Sequence, residues 1–111
     1  MNEEKIEELK KKNPEGIYEG EINFSDEEDK PHHVEFIWRK PTMADVESHA
    51  KASNKNPIVA NLNLIQSLIV HPEAGPIMAE LQAYPAAAGR FVEEAVSPFF
   101  GANVLTKTKK L

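Results

Sequence analysis

Ile17-Tyr18-Glu19-Gly20-Glu21-Ile22-Asn23-Phe24 and His33-Val34-Glu35-Phe36-Ile37-Trp38-Arg39 are the two stretches that decide the fold. In the first, Tyr18, Gly20, Ile22 and Phe24 share one face, and Glu19, Glu21 and Asn23 share the other. The second puts Val34, Phe36 and Trp38 together. Alternation with period two, carried by aromatic and β-branched residues, predicts two strands. Ser25 to His32 between them is polar and contains Pro31, which predicts a loop and so an antiparallel hairpin. A lone hairpin is marginal in water, so its aromatic face needs something to pack on.

The rest of the chain supplies helices. Thr42 and Asp45 form a capping box with Asp in place of Glu, opening a helix to about Ser53. Asn56 and Pro57 are an N-cap and a first-turn proline. The helix they open carries Ile58, Leu62, Ile65 and Ile69, widened by Val59, Leu64, Leu68 and Val70, a stripe broad enough for a central helix. No strand is expected in 57–70. His71 to Pro76 ends that helix, and a short one follows with Ile77, Met78 and Leu81 inward, closing at Tyr84. Pro85 starts the last helix, with Phe91, Val92, Ala95 and Val96 as its apolar side, until Pro98. Upstream, residues 3–12 place acids first and lysines last, in agreement with the helix dipole, but offer only Ile6 and Leu9 for burial. The expected architecture is α+β and predominantly α, an N-terminal antiparallel β-hairpin packed on a bundle of about four short helices. Residues 1–16 are read as a charged helix or flexible arm, 17–102 as a single domain, and 103–111 as a disordered basic tail.

Charge narrows the partners. Residues 1–30 hold eleven acids against five lysines, a net of −6, whereas residues 31–111 hold seven acids against eight bases, a net of +1. An acidic first quarter repels phosphate backbones, and Lys107, Lys109 and Lys110 are too few for strong counterion release, so nucleic acid is not an expected partner. There is no cysteine, which excludes disulfides and thiolate chemistry. The first twelve residues lack the apolar core of a signal peptide, and no run of about 18 apolar residues offers a membrane span. A cytoplasmic location without membrane association is the expectation.

No recognised catalytic constellation is present. Gly16, Gly20, Gly75, Gly89 and Gly101 are scattered singly, so no phosphate-cradling loop can be assembled, and none of the common nucleophile or zinc motifs occurs. His32 and His33, near Asp26 and Asp29, are the one cluster that resembles metal ligands. Neighbours at a strand's start point to opposite faces, so one ion cannot easily take both. They are expected to be a solvated hairpin loop, dispensable for stability. No enzyme activity, metal or cofactor is expected. Phe36 and Trp38 are read as core. Phe99 and Phe100 follow Pro98, where a four-helix core is already closed, so with Phe91 they are the candidate partner-binding residues.

One resemblance follows from the joints between elements. Phe36-Ile37-Trp38-Arg39-Lys40-Pro41-Thr42 runs from strand to helix, Val70-His71-Pro72-Glu73 ends the central helix, and Tyr84-Pro85 precedes the last. This order resembles the tail assembly chaperones of long-tailed bacteriophages and prophages, over roughly Ile17 to Phe100, with Trp38, Arg39, Pro41, Thr42, Pro72, Glu73, Tyr84 and Pro85 as the matching positions. The resemblance implies a non-enzymatic protein that binds the tape-measure protein and tail-tube subunits during virion assembly, with homo-oligomers within reach. The competing readings are a generic helical interaction or regulatory module and a histidine-dependent metalloenzyme.

Overall fold

A computed structural model describes residues 3–101 and 108–110. Helix α1 (Glu3–Lys12) leads into β1 (Ile17–Ser25) and β2 (Pro31–Arg39), followed by α2 (Met43–Ser53), α3 (Pro57–Leu68), β3 (Ile69–His71), α4 (Ala74–Ala83) and α5 (Pro85–Phe91). After α5 the chain continues as a π-helical turn, Val92–Val96, and a 3-10 turn, Ser97–Phe100. The three strands form one antiparallel sheet in the order β1-β2-β3. The fold is α+β, with the predicted hairpin at its N-terminal side and four helices from Met43 onward. No helix among the described residues is long and apolar enough to cross a membrane.

The hairpin pairs in the register its alternation requires, with Tyr18 opposite Trp38, Gly20 opposite Phe36 and Ile22 opposite Val34. Those residues form the sheet's inner face. Ile22, Val34, Phe36 and Trp38 join Leu64, Ile65 and Leu68 of α3, Ile77, Met78 and Leu81 of α4, and Ala88, Phe91, Val92 and Val96 of the last helical segment in one core. Gly20 is what lets the aromatics close up. A Cβ there would stand 2.8 Å from the Phe36 ring and 3.0 Å from Trp38 Cδ1. On the outer face Ile37 is buried as well, in a cleft it shares with Ile6 of α1, while Leu9 buries the helix's other apolar position.

Three expectations need correction. Ile69 and Val70 are not helical: α3 stops at Leu68, and Ile69 and His71 pair with Trp38 and Ile37 of β2. The cause is local, since Pro72 disfavours a helical His71 and the β-branched Ile69 and Val70 suit a strand. The expected stripe of α3 is also rotated. Ile58 and Val59 are exposed in its first turn, and the buried face is Ala60, Leu64, Ile65 and Leu68. Finally, β2 begins at Pro31, which moves His32 out of the loop and into the sheet, and α4 begins at Ala74, taking Gly75 and Pro76 into its first turn. The tail assigned to 103–111 falls largely outside the described residues.

Candidate functional site

The positions that resemble the chaperone motif are joints of the fold. Arg39 leaves the end of β2 and forks onto Asp45, with Nη1 donating to Oδ2 at 2.7 Å and Nη2 to Oδ1 at 3.2 Å. Nη2 also donates to the carbonyl of Ser67 at the end of α3. Asp45 in turn accepts from the Thr42 amide at 2.7 Å and the Thr42 hydroxyl at 3.0 Å, while its own amide donates back to Thr42 Oγ1 at 3.3 Å. The Arg39 guanidinium is the main reason that the Asp45 carboxyl is lowered to about 2. Pro41 is buried at this corner. Glu73 precedes α4 without capping it by its side chain, and Tyr84 and Pro85 form the α4–α5 junction. These residues hold elements together, and none of them needs a ligand to be explained.

A second joint sits at the other end of β2, where His32 and His33 point to opposite faces. His32 donates from Nε2 to Asp26 at 2.8 Å and from Nδ1 to Glu80 of α4 at 2.9 Å. Both partners are carboxylates, so the two bonds are made together only by an imidazole that carries protons on both ring nitrogens. The imidazole stacks on Phe24 (centroids 4.8 Å apart, planes at 5°) and leans on Tyr84 at 5.0 Å. Its hydrogen bonds to Asp26, then to Glu80, raise its pKa above the ordinary value. His32 thus joins the hairpin tip to α4, where the sequence-based expectation made it a dispensable loop residue. His33 lies on the outer face between Glu35, at 2.7 Å, and Asn23, with Glu21 at 3.5 Å. Among the described residues no group of three or more His, Asp or Glu side chains is placed to hold a metal ion.

The predicted partner-binding phenylalanines separate. Phe91 is 9% exposed and meets Phe36 and Trp38 edge-on, so it is core rather than surface. Phe100 is half-buried against that core, 6.1 Å from the His49 ring. Phe99 is 38% exposed, and beside it Tyr18 is 37% exposed. Their rings lie 5.2 Å apart, and both cover Trp38, at 5.6 and 5.2 Å. Trp38 is itself buried, and its Nε1 is the one buried side-chain polar atom without a hydrogen bond among the described residues. Such an orphan donor costs about 1–3 kcal/mol. Tyr18 was missing from the sequence-predicted site, although it faces Trp38 in the register that alternation fixes.

With the geometry in place, two comparisons bear on the chain. Residues 9–109 match the family described as a domain of unknown function, DUF6848. The chain belongs to the DUF6848 family. That match takes in the sheet, both joints of β2 and the Tyr18–Phe99 surface. The structure of the uncharacterised protein rbstp2171 from Bacillus stearothermophilus superimposes on this DUF6848 chain with a TM-score of 0.69 at 23% identity, covering 94% of this chain and 99% of the other. At that identity the likeness speaks for the fold alone. No curated protein matches.

Proposed function

We propose that this chain is a non-enzymatic, cytoplasmic protein-binding chaperone of phage or prophage tail assembly, which holds the tape-measure protein and tail-tube subunits before they polymerise. The observation that carries the binding part is the Tyr18–Phe99 pair, two large rings left about three-eighths exposed over a buried Trp38 whose donor has no partner. Exposed aromatics over an unsatisfied donor suit a partner that covers the rings. The tail-assembly part rests on the resemblance carried by the Arg39–Thr42, Pro72–Glu73 and Tyr84–Pro85 joints. Compared with the sequence-based expectation, Tyr18 replaces Phe91 in the contact surface, and Phe100 contributes from its half-buried position. The acidic first quarter, at a net of −6, keeps the free chain soluble while the rings wait.

Co-expression with a phage tape-measure protein tests both parts. The wild-type chain should keep that protein soluble, and Phe99→Ser should lose it while melting close to wild type. If Phe99→Ser folds and holds the partner as well as wild type does, the aromatic surface is not the binding site. If the wild-type chain leaves the tape-measure protein insoluble, the tail-assembly assignment falls.

A further inference from the structure

We propose that the open edge of β1 takes an extended protein segment as a fourth strand, one in which lysine or arginine alternates with small apolar residues. The proposal rests on the protein-binding reading above and adds how the partner is held. β1 is the outermost strand of the sheet. Gly16 O accepts from Lys40 N at 3.3 Å, and Asp26 N donates to Lys30 O at 3.0 Å, just beyond the two ends of the hairpin ladder. Antiparallel alternation between those points makes Tyr18, Gly20, Ile22 and Phe24 the residues that bond to β2. The N–H and C=O groups of Glu19, Glu21 and Asn23 then face away from the sheet, and no backbone group among the described residues meets them. Edges of this kind are usually blunted by charged side chains, proline, a bulge or a covering element, and of these β1 carries the charges of Glu19 and Glu21. β1 is nine residues long, contains no proline and pairs with β2 without a register shift.

The surroundings say what fits. A groove of about 510 Å³ runs beside the edge, with Gly20, Ile22 and Phe24 on the sheet side and Ala87, Phe91 and Ala95 on the helical side. The Arg90–Glu94 ion pair, 2.6 Å long, stands at its rim. An added strand sends alternate side chains to opposite faces. Those entering the groove meet Gly20, Ala87 and Ala95 set among the larger Ile22, Phe24 and Phe91, which leaves room only for small apolar groups. Those on the outer face meet Glu19 and Glu21, with Glu35 directly across from Glu21, His33 placed between them and the Asn23 amide donating to Glu21 at 2.8 Å. Three carboxylates against one imidazole call for cationic side chains opposite. A second copy of this chain would instead set Glu19 and Glu21 against their own counterparts, and like charges across a ladder are destabilising.

The probe is a labelled peptide as long as β1 that alternates lysine with valine, followed by fluorescence anisotropy. A peptide alternating glutamate with valine is its control. The wild-type chain should bind the lysine peptide and not the glutamate one. Glu21→Pro removes an N–H that points outward and leaves the hairpin's own bonds intact, so it should weaken lysine-peptide binding about tenfold or more. Amide hydrogen exchange on the wild-type chain gives a second reading that needs no variant: the peptide should slow exchange at Glu19, Glu21 and Asn23. Equal binding of the two peptides overturns the proposal, as does protection confined to other amides. Protection of the same three amides in a peptide-free dimer, seen by sedimentation, makes the occupant a second copy and also overturns it. The two readings fail separately. Should Glu21→Pro capture the tape-measure protein as wild type does while Phe99→Ser loses it, the strand-edge proposal falls and the chaperone reading stands. Should the lysine peptide protect the edge while no tape-measure protein is held, the edge stands and the chaperone reading falls.

Discussion

The two ends of β2 are tied to the helices by the same device built from different cations. At one end Arg39 grips Asp45 of α2 and the last turn of α3, and the acceptor is also held by Thr42. At the other, His32 bridges Asp26 of the hairpin loop and Glu80 of α4. A guanidinium keeps its charge at every pH a protein meets, whereas an imidazole loses its charge near neutrality. The sheet's attachment to α2 and α3 therefore keeps its charges from neutrality down to the acid range where Asp45 itself protonates. Its attachment to the hairpin tip and α4 depends on a proton. One strand thus carries a fixed joint and a conditional one, and the difference follows from which cation stands at each end.

The largest expected effect belongs to neither joint and sets the scale for both. Ile65 is fully buried at the centre of α3, beneath the sheet, so Ile65→Ala should cost about 2–5 kcal/mol in urea unfolding through lost burial and a cavity. A loss as small as that of an exposed substitution would mean that the core is not where both joints are anchored. Next comes the fixed joint. Asp45→Ala removes the partner of Arg39 and half of the capping box together, for about 2–3 kcal/mol at neutral pH. Because the Asp45 pKa is lowered to about 2 in the folded chain, its contribution is present above the unfolded value of about 3.9 and is lost as pH falls toward 2. The stability gap between wild type and Asp45→Ala should hold steady from neutrality down to about pH 5 and narrow by about 2 kcal/mol below it. A gap that ignores acid would show that the Arg39 pair is not what stabilises this corner.

Much of this was legible in the residues, and the misses have physical causes. Period-two alternation gave both long strands, because a sheet with one buried face must alternate. Thr42–Asp45 and Asn56–Pro57 gave two helix starts to the residue, because capping is local chemistry that needs no tertiary partner. β3 was missed because three residues are too few to show a period, and Ile69 and Val70 continue an apolar helical run as plausibly as they begin a strand. Ile58 and Val59 were misplaced because spacing defines a stripe but not which neighbours cover its first turn. At the candidate site, the exposure of Phe99 agrees with its place after Pro98, which says nothing by itself of a partner. Phe91 was not separable from it, since an aromatic on the last helix reads alike whether the sheet lies beneath it or not. His32 was unreadable because its second acceptor, Glu80, is remote in sequence.

The smallest effect is the most telling, because it is the conditional joint seen directly. His32 has its folded pKa raised by hydrogen bonds to Asp26 and Glu80, against partial desolvation that lowers it. A group raised in this way stabilises fully below its unfolded value, about 6.5, and the stabilisation is lost as pH rises through the folded value. The charges facing it from the packed elements act in one sense. Asp26 belongs to the loop, Glu80 to α4, and no cation is among the causes of its shift. Tyr84, the aromatic neighbour, has its phenol raised by burial and by Glu27, so it stays neutral throughout this range. Wild type should therefore exceed His32→Ala in melting temperature by the widest margin near pH 5.5, with the margin shrinking toward pH 8.5. Exchange of the amides in 26–30 should speed up over the same interval. His33 supplies the internal contrast. Glu35 raises its pKa as well, but its side chain is 47% exposed on the open face, where solvent screens the pair. His33→Ala should show the same sign with a smaller margin and no change in the loop amides. If the His32 margin instead widened with rising pH, the neutral imidazole would be the stabilising form, and the two ends of β2 would not differ in the way their cations require.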